Sequence, residues 1–394
     1  MSLGGEIGCG RKIDNYLSTR YKKSSDAVAA FCYFVYTRQE IFEARSTGNG
    51  PPYTSNAILS SKWFTNMYRE LDRGTKFYRY QILSDHDLSN PSHQNIIFQT
   101  IVYRLVNKIE TFEEYGKLPK VNEWKSFEMF LTEKMDQGEV AFTSAHQNMG
   151  LRRFCETMDE VLDSINELTY SIIGAGSIIE CFDVLKGITN IGNFFAWQIL
   201  CDFLELKIVS FDENEWTCLG PGAKAGLRKI FEVKSESEEL TLTKHLTKIM
   251  SYCFKSLELN FPYFLNRKLT LKNIEHALCE YDKYYRFALN HGTRDRCFQS
   301  REVLDMKQCL ACNDIISKLD RKCVLCGSCY HVKCLDNEGV LTLVDNKWWL
   351  CSVCYDLEFR DDGMISEYPP SFDSDEFTIK HVNIVLKNCM SIIK

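Results

Sequence analysis

The stretch CLACNDIISKLDRKCVLCGSCYHVKCLDNEGVLTLVDNKWWLCSVC, residues 309 to 354, decides how the C-terminal part of this chain folds. Closely spaced pairs of metal-ligand residues recur in it: Cys309, Cys312, Cys323, Cys326, His331, Cys334, Cys351 and Cys354. A close pair lets one turn supply two ligands to a tetrahedral ion, so four pairs predict two closed, structural Zn²⁺ sites with no open coordination position. Such ions replace a hydrophobic core that so short a segment cannot build.

The order of the ligands indicates which kind of finger this is. The histidine follows four cysteines, and Trp349 stands two residues before Cys351. The segment therefore resembles a PHD finger, whereas a RING finger usually has its histidine one step earlier. The resemblance implies cross-braced sites, with Cys309, Cys312, His331 and Cys334 on one ion and Cys323, Cys326, Cys351 and Cys354 on the other. Cys329 breaks the paired spacing, and we interpret it as a loop thiol.

PHD fingers commonly read histone tails, and those that read trimethyl-lysine need an aromatic cage. The positions that usually form the cage hold Met306, Lys307, Gln308 and Cys329, none of them aromatic. We therefore do not expect methyl-lysine reading. Docking to an unmodified histone tail or to another protein stays open, and so does a purely structural finger.

Composition limits the class of protein. The chain has 394 residues and a formal net charge of −6, which argues against a strongly basic nucleic-acid coat but permits a local basic groove. Cysteines outside the finger occur singly along the chain. This pattern indicates buried thiols in a reducing compartment and does not indicate a disulfide framework. The first 15 residues lack the apolar core of a signal peptide, and no run approaches the roughly 20 apolar residues of a membrane helix. We expect a soluble protein of the cytosol or nucleus without a membrane partner.

Residues 16–298 are expected to form one large helical domain. Apolar residues recur at three- and four-residue intervals, for example in 25–44 and 151–168, which is typical of packed helices. The predicted fold class is thus mainly α. The helical domain is followed by the zinc finger at 306–358 and by an acidic linker and tail at 359–394.

Three clusters in the helical part are too specific to be generic core. They are Trp63-Phe64-x-Asn66-x-Tyr68-Arg69-Glu70-Leu71-Asp72-Arg73, then Asn193-Phe194-Phe195-Ala196-Trp197-Gln198-Ile199-x2-Asp202 with Leu219-Gly220-Pro221-Gly222-Ala223-Lys224, and then Ile274-Glu275-x2-Leu278-Cys279-Glu280-Tyr281-x-Lys283-Tyr284. In this order they resemble the helical domain of the 5-hydroxymethyluracil DNA kinase family, which includes the α-glutamyl/putrescinyl thymine pyrophosphorylases. The resemblance covers about residues 25 to 290. It implies a fold like the helix-hairpin-helix DNA glycosylases and DNA with modified pyrimidines as the partner.

The kinase part of that family name has no counterpart in the sequence. Phosphoryl transfer needs a phosphate cradle, and no G-x4-G-K-[ST] loop occurs in the chain. We therefore expect that this chain is not a kinase by itself. If it is an enzyme, base modification or glycosylase-like displacement on an extruded base is the expected chemistry.

The stretch from Gly220 to Ile230 is the candidate contact for a DNA backbone. Gly220 and Gly222 would let backbone amides approach a phosphate at a helix start, and Lys224 and Arg228 add positive charge. An ordinary glycine-rich helix start is the alternative. Further DNA-binding candidates are Arg69, Arg73 and Lys283.

Three acidic residues are candidates for catalysis. Asp202 follows an apolar helical face and could cap a helix, pair with an arginine or activate a nucleophile. Asp72 could line a base pocket, and Glu280 lies in the third cluster, although charged helical residues are usually solvated. The preferred interpretation is a nuclear protein that binds or processes DNA with modified pyrimidines. A catalytically silent chromatin adaptor is the alternative, and a RING-like ubiquitin ligase is disfavoured by the ligand order.

Overall fold

The computed structural model describes residues 24–87, 90–144, 149–289, 309, 321–331, 334, 342–344 and 348–359. Within these residues the structure is mostly helical, and strands occur only in the C-terminal segment. The predicted mainly α fold class is confirmed. The predicted acidic linker and tail lies, except for Phe359, outside the described residues.

The described helices and strands follow one another in this order. The helices are α1 Ser24–Ser46, α2 Ala57–Ser61, α3 Arg73–Asp85, α4 His93–Val106, α5 Ile109–Tyr115, α6 Trp124–Asp136, α7 Gly150–Asp163, α8 Ile165–Ile173, α9 Ile178–Lys186, α10 Asn193–Glu205, α11 Pro221–Ile230, α12 Glu236–Ser256, α13 Leu271–Ala288 and α14 Ser352–Phe359. The strands are β1 Arg321–Lys322, β2 Cys329–Tyr330, β3 Thr342–Val344 and β4 Trp348–Leu350. None of these helices is long and apolar enough to cross a bilayer.

The described residues divide into two compact units, and the first combines 24–69 with 219–289. Its core forms where rings from α1 meet rings from α13: the Tyr281 ring centroid lies 5.3 Å from that of Phe31 and 5.5 Å from that of Phe34. Two segments far apart in sequence therefore share one apolar core. The sequence patterns predict a single helical domain over 16–298 and contain no sign of this division.

The contact between α11 and α13 in the first unit depends on glycine. A Cβ atom on Gly222 would lie 2.5 Å from the Cys279 sulfur, and one on Gly226 would overlap the carbonyl group of Leu278. Since any larger residue would push the helices apart, these glycines set the distance between α11 and α13.

The second unit contains residues 70–218 and the described residues of the finger. Its central helix is α4, in which every residue from Ile96 to Val106 is buried; a helix buried on all sides lies inside a core. The surrounding helices contribute large apolar side chains, Trp124 and Trp197 among them, and Leu357 of α14 packs against the same cluster. The last helix of the finger thus shares the core of the helical part of this unit.

Short antiparallel strands form the rest of the described finger. Strand β1 pairs with β2, with Arg321 opposite Tyr330, and β3 pairs with β4, with Leu343 opposite Trp349. The two sheets are joined where the Val324 N–H donates to the Trp349 carbonyl at 3.1 Å.

Candidate functional site

Two groups of metal-ligand side chains converge in the finger. One consists of Cys323, Cys326, Cys351 and Cys354, and the other of Cys309, His331 and Cys334; within each group the ligand atoms lie within 4.8 Å of one another. Cys312, the predicted eighth ligand, lies outside the described residues. The seven described residues are grouped as a cross-braced finger would group them, and each group could hold a metal ion.

The four-sulfur group has the dimensions of a zinc site. Sulfur atoms at about 2.3 Å from a tetrahedral Zn²⁺ ion lie roughly 3.8 Å apart, and the Cys326 and Cys351 sulfurs are 3.7 Å apart. The turn that presents Cys323 and Cys326 closes at Gly327, whose φ of +77° favours glycine. All four cysteines are buried, so an ion held there would have a structural role.

In the first unit, charged and polar residues of α1 and α13 fix the irregular loop that follows α2. Arg38 of α1 donates from Nη2 to the carbonyl oxygens of Phe64, at 3.1 Å, and Thr65, at 2.9 Å. Glu280 of α13 accepts the Thr65 N–H at 3.0 Å. On the same helix, His276 Nε2 lies 2.7 Å from the Thr65 hydroxyl oxygen. Irregular backbone held this firmly is well suited to present functional groups.

Glu280, a predicted catalytic residue, is a buried carboxylate with a lowered pKa. Burial alone would raise the pKa, but Lys283, His276 and the Thr65 N–H together hold it below its usual value of 4.5. A carboxylate with a lowered pKa is a weak base and no acid at neutral pH, so its position suits orientation better than proton transfer. Lys283, a predicted DNA contact, donates to Glu280 at 2.8 Å and lies 4.6 Å from the Phe64 ring centroid.

His276 and Thr65 are candidate functional residues that the sequence analysis missed. Both are half-buried, and a hydroxyl within hydrogen-bond distance of an imidazole is the arrangement of an activated nucleophile or of a polar ligand contact. The sequence contained a hint of both residues. His276 lies one helical turn before Glu280, a predicted catalytic residue, and Thr65 is the residue between Phe64 and Asn66 in the first cluster.

The predicted phosphate contact at Gly220 and Gly222 has a packing role in the structure. The Gly220 N–H donates to Glu275 Oε1 at 3.3 Å, and Gly222 faces Cys279 across the contact with α13. The close approach that glycine permits is therefore made to a neighbouring helix, and DNA binding by these glycines stays a prediction.

The basic residues of α11 have carboxylate partners within the first unit. Lys224 lies 2.6 Å from Glu236 and 3.1 Å from Glu239, and Arg228 lies 2.6 Å from Glu239. Because these pairs offset the positive charge, a phosphate would have to compete with Glu236 and Glu239. Lys224 and Arg228 stay predicted DNA contacts.

Asp202 of α10 lies in a buried ion pair in the second unit. Both of its oxygens are bound by Arg104 of α4, with Nη2 at 2.5 Å from Oδ1 and Nε against Oδ2. Asp202 is 0% exposed, so of the roles considered for it, pairing with an arginine is the one that the structure contains. A catalytic role for Asp202 stays a prediction.

The remaining predicted site residues surround the start of α3. Asp72 occupies the N-cap position of α3 without a side-chain capping bond. Arg73 lies 3.3 Å from Glu110, and Arg69 is a buried residue at the end of the first unit's N-terminal segment. Their roles in catalysis and DNA binding stay predictions.

A tight hairpin between α9 and α10 was also missed. Residues 187–192 form it, with Asn190 at φ +64°. The Asn190 side-chain amide donates to the Thr157 hydroxyl at 3.1 Å. That hydroxyl has two carbonyl acceptors for its single proton, Arg153 at 2.8 Å and Thr189 at 3.1 Å. No side chain caps α10, and a Cβ atom on its N-cap residue Gly192 would meet nothing within 4 Å. A tight hairpin therefore joins two helices here, whereas α11 follows a longer irregular segment.

Comparison with known proteins agrees with the resemblance found in the sequence. The family model described as "5-hmdU DNA kinase, helical domain" matches residues 25–294. A "5-hmdU DNA kinase" of Bacillus phage SP10 is 26% identical over 283 residues, which cover 65% of this chain and 44% of the phage protein. The chain therefore spans less than half the length of that relative. No solved structure matches the chain. Since the family model covers more than half of its residues, the chain belongs to the family of 5-hmdU DNA kinase helical domains.

Proposed function

We propose that this protein binds or processes DNA with modified pyrimidines through its helical domain, and that two structural zinc ions hold its finger. The family match over residues 25–294 carries the proposal. Its phage relative is named for a DNA kinase of 5-hmdU, and we infer the same class of DNA for this chain. We further propose that the protein is nuclear and that the finger docks to a histone tail or another protein.

The hairpin between α9 and α10 supports the inference of DNA contact. Backbone N–H groups at an uncapped helix start carry partial positive charge and favour an anion. Gly192, Asn193 and Phe194 are all exposed at this helix start. Amides on an open hairpin suit a phosphate contact that positions DNA without reading its sequence.

Binding to duplexes that contain thymine or 5-hydroxymethyluracil, at several fixed salt concentrations, tests the proposal. We expect tighter binding to the modified duplex, by about tenfold or more, which corresponds to roughly 1.4 kcal/mol. Gly192→Asp should weaken binding to both duplexes and reduce the salt slope by about one phosphate contact, while Ser126→Asp on the exposed side of α6 should not. Equal affinities for the two duplexes, together with no turnover of either, would refute the proposal.

The catalytically silent adaptor stays a second candidate because of the Arg104–Asp202 pair. Asp202 was one of the acidic residues predicted to assist catalysis, and both of its oxygens are engaged inside the second unit. The adaptor predicts selective binding of histone peptides or proteins without turnover of modified DNA. An enzyme predicts that wild-type protein consumes 5-hydroxymethyluracil duplexes.

A further inference from the structure

Arg79 of α3 is a buried cation beside the finger's last helix, within the second unit. Its side chain is 1% exposed. Nη2 donates to the Glu205 carbonyl at 2.9 Å and to Glu358 of α14 at 2.5 Å. Nε and Nη1 are buried and make no hydrogen bond with the described residues. A guanidinium this deeply buried normally has more of its donors engaged.

Cys354, one of the four clustered cysteines, lies on the same helix as the carboxylate that binds this cation. It is 0% exposed, and Glu358 follows it by one helical turn. The Arg79–Glu358 ion pair therefore joins α3 to the helix that supplies a ligand of the four-cysteine group. Burial alone would lower the pKa of Arg79, but Glu358, Cys354 and Glu205 raise it above its usual value, so the guanidinium stays charged.

With Zn²⁺ bound, the four-cysteine site is negatively charged, which explains why a cation would lie near it. Four thiolates around one Zn²⁺ ion carry a net charge of about −2, and all four cysteines are buried. Burying such a charge without a partner is costly. Glu358 adds a further negative charge, and Arg79 is the basic side chain that pairs with Glu358, one helical turn after Cys354.

We propose that Arg79 is a positioning residue for the four-cysteine zinc site: α3 supplies the countercharge, and the finger and the helical part of the second unit fold as one body that zinc stabilises. The inference rests on the proposed zinc content of the finger. The role of Arg79 is a separate point from the presence of zinc, because it makes α3, a helix about 240 residues before the finger in sequence, part of the surroundings of the metal site.

Zinc release from the full-length protein into an excess of a coloured chelator tests this inference. Arg79→Met keeps an unbranched apolar stem without the charge and should accelerate release from the four-cysteine site by about 10- to 100-fold, the usual effect of losing an outer-shell partner. Arg79→Lys should restore part of the retention. Release from the group of Cys309, His331 and Cys334 should not change, and neither should release from Arg152→Met, an exposed arginine of α7.

Two further measurements separate the possible failures. A wild-type protein that contains no zinc would refute the zinc proposal itself. A zinc-loaded protein whose Arg79→Met variant releases zinc at the wild-type rate would refute only the role of Arg79.

If Arg79→Met does not fold, hydrogen exchange on the wild-type protein tests the role of α3 instead. Chelation should then remove protection from α3 as well as from α14, and full retention of protection in α3 would contradict the inference. Cobalt substitution should show thiolate charge-transfer bands that shift in Arg79→Met and not in Arg152→Met.

Discussion

At the scale of single residues, the structure places two of the three candidate acidic side chains in buried partnerships. Asp202 is bound by Arg104, and Glu280 by Lys283 and the Thr65 backbone. Buried charges of this kind contribute little net stability as a pair, but removing one member is strongly destabilising. This distinction decides which substitutions can test a catalytic role.

Asp202→Ala should lower the free energy of unfolding by about 3–5 kcal/mol, because it leaves the Arg104 charge buried without its carboxylate. Urea denaturation followed by circular dichroism measures the loss. Asp163→Asn, at the exposed end of α7, is the control and should change stability by less than about 0.5 kcal/mol. A stable Asp202→Ala protein would show that the ion pair is not an essential part of the core.

Glu280→Gln should destabilise the protein at neutral pH and much less in acid. The pKa of Glu280 is lowered in the folded state, so its carboxylate contributes stability above the unfolded-state value of 4.5, and the contribution is lost as the pH falls through the lower folded-state pKa. Unfolding free energies measured from pH 7 downward should therefore converge for wild type and variant. Glu232→Gln, exposed in the first unit, should show no such convergence. A difference that is constant with pH would contradict the account.

At the scale of elements, a close helix contact characterises the first unit and a tight hairpin characterises the second. The packing of α11 on α13 accounts for the glycines of the second sequence cluster, and the hairpin between α9 and α10 supplies the open backbone amides. The glycine-rich motif and the hairpin lie in different units.

Gly226→Ala should destabilise the first unit by about 1–3 kcal/mol, because the added methyl group would overlap the Leu278 carbonyl, which belongs to the backbone and cannot turn aside. Thermal unfolding monitored by circular dichroism measures the effect. At Gly50, where an added Cβ meets nothing within 4 Å, the same change should be nearly neutral. Wild-type stability of Gly226→Ala would mean that α11 and α13 lie farther apart than described.

The features that could be predicted from the sequence are those encoded locally. Helical periodicity and the spacing of ligand pairs depend on neighbouring residues, so the helical class and the ligand pairs were foreseeable. The grouping of those pairs into two sites followed only from the resemblance to a PHD finger. The Arg104–Asp202 pair joins residues 98 apart and the Arg79–Glu358 pair residues 279 apart, and no local pattern indicates such partners. The hairpin was missed because Asn190, rather than glycine, occupies its left-handed position.

At the scale of the whole molecule, the finger belongs to the same compact unit as residues 70–218. Leu357 packs into the core of that unit, so the finger is not an independent module on a linker. Removal of metal should therefore affect more than the finger.

Chelation of metal from the full-length protein should lower the midpoint of thermal unfolding and should do so reversibly on addition of zinc, because zinc-site binding energy is also folding energy. Differential scanning calorimetry with and without chelator measures the shift, and magnesium in place of zinc is the control. An unchanged unfolding profile would show that the finger contributes nothing to the stability of the second unit.

The central claim, that the helical domain engages DNA with modified pyrimidines, is tested most directly by equilibrium binding of the wild-type protein to matched duplexes with thymine or 5-hydroxymethyluracil at one fixed salt concentration. Phosphate contacts are the same in both duplexes, so any difference reports recognition of the base. The account predicts affinity higher by about tenfold or more for the modified duplex. Identical affinities, with neither duplex altered on incubation, would contradict it.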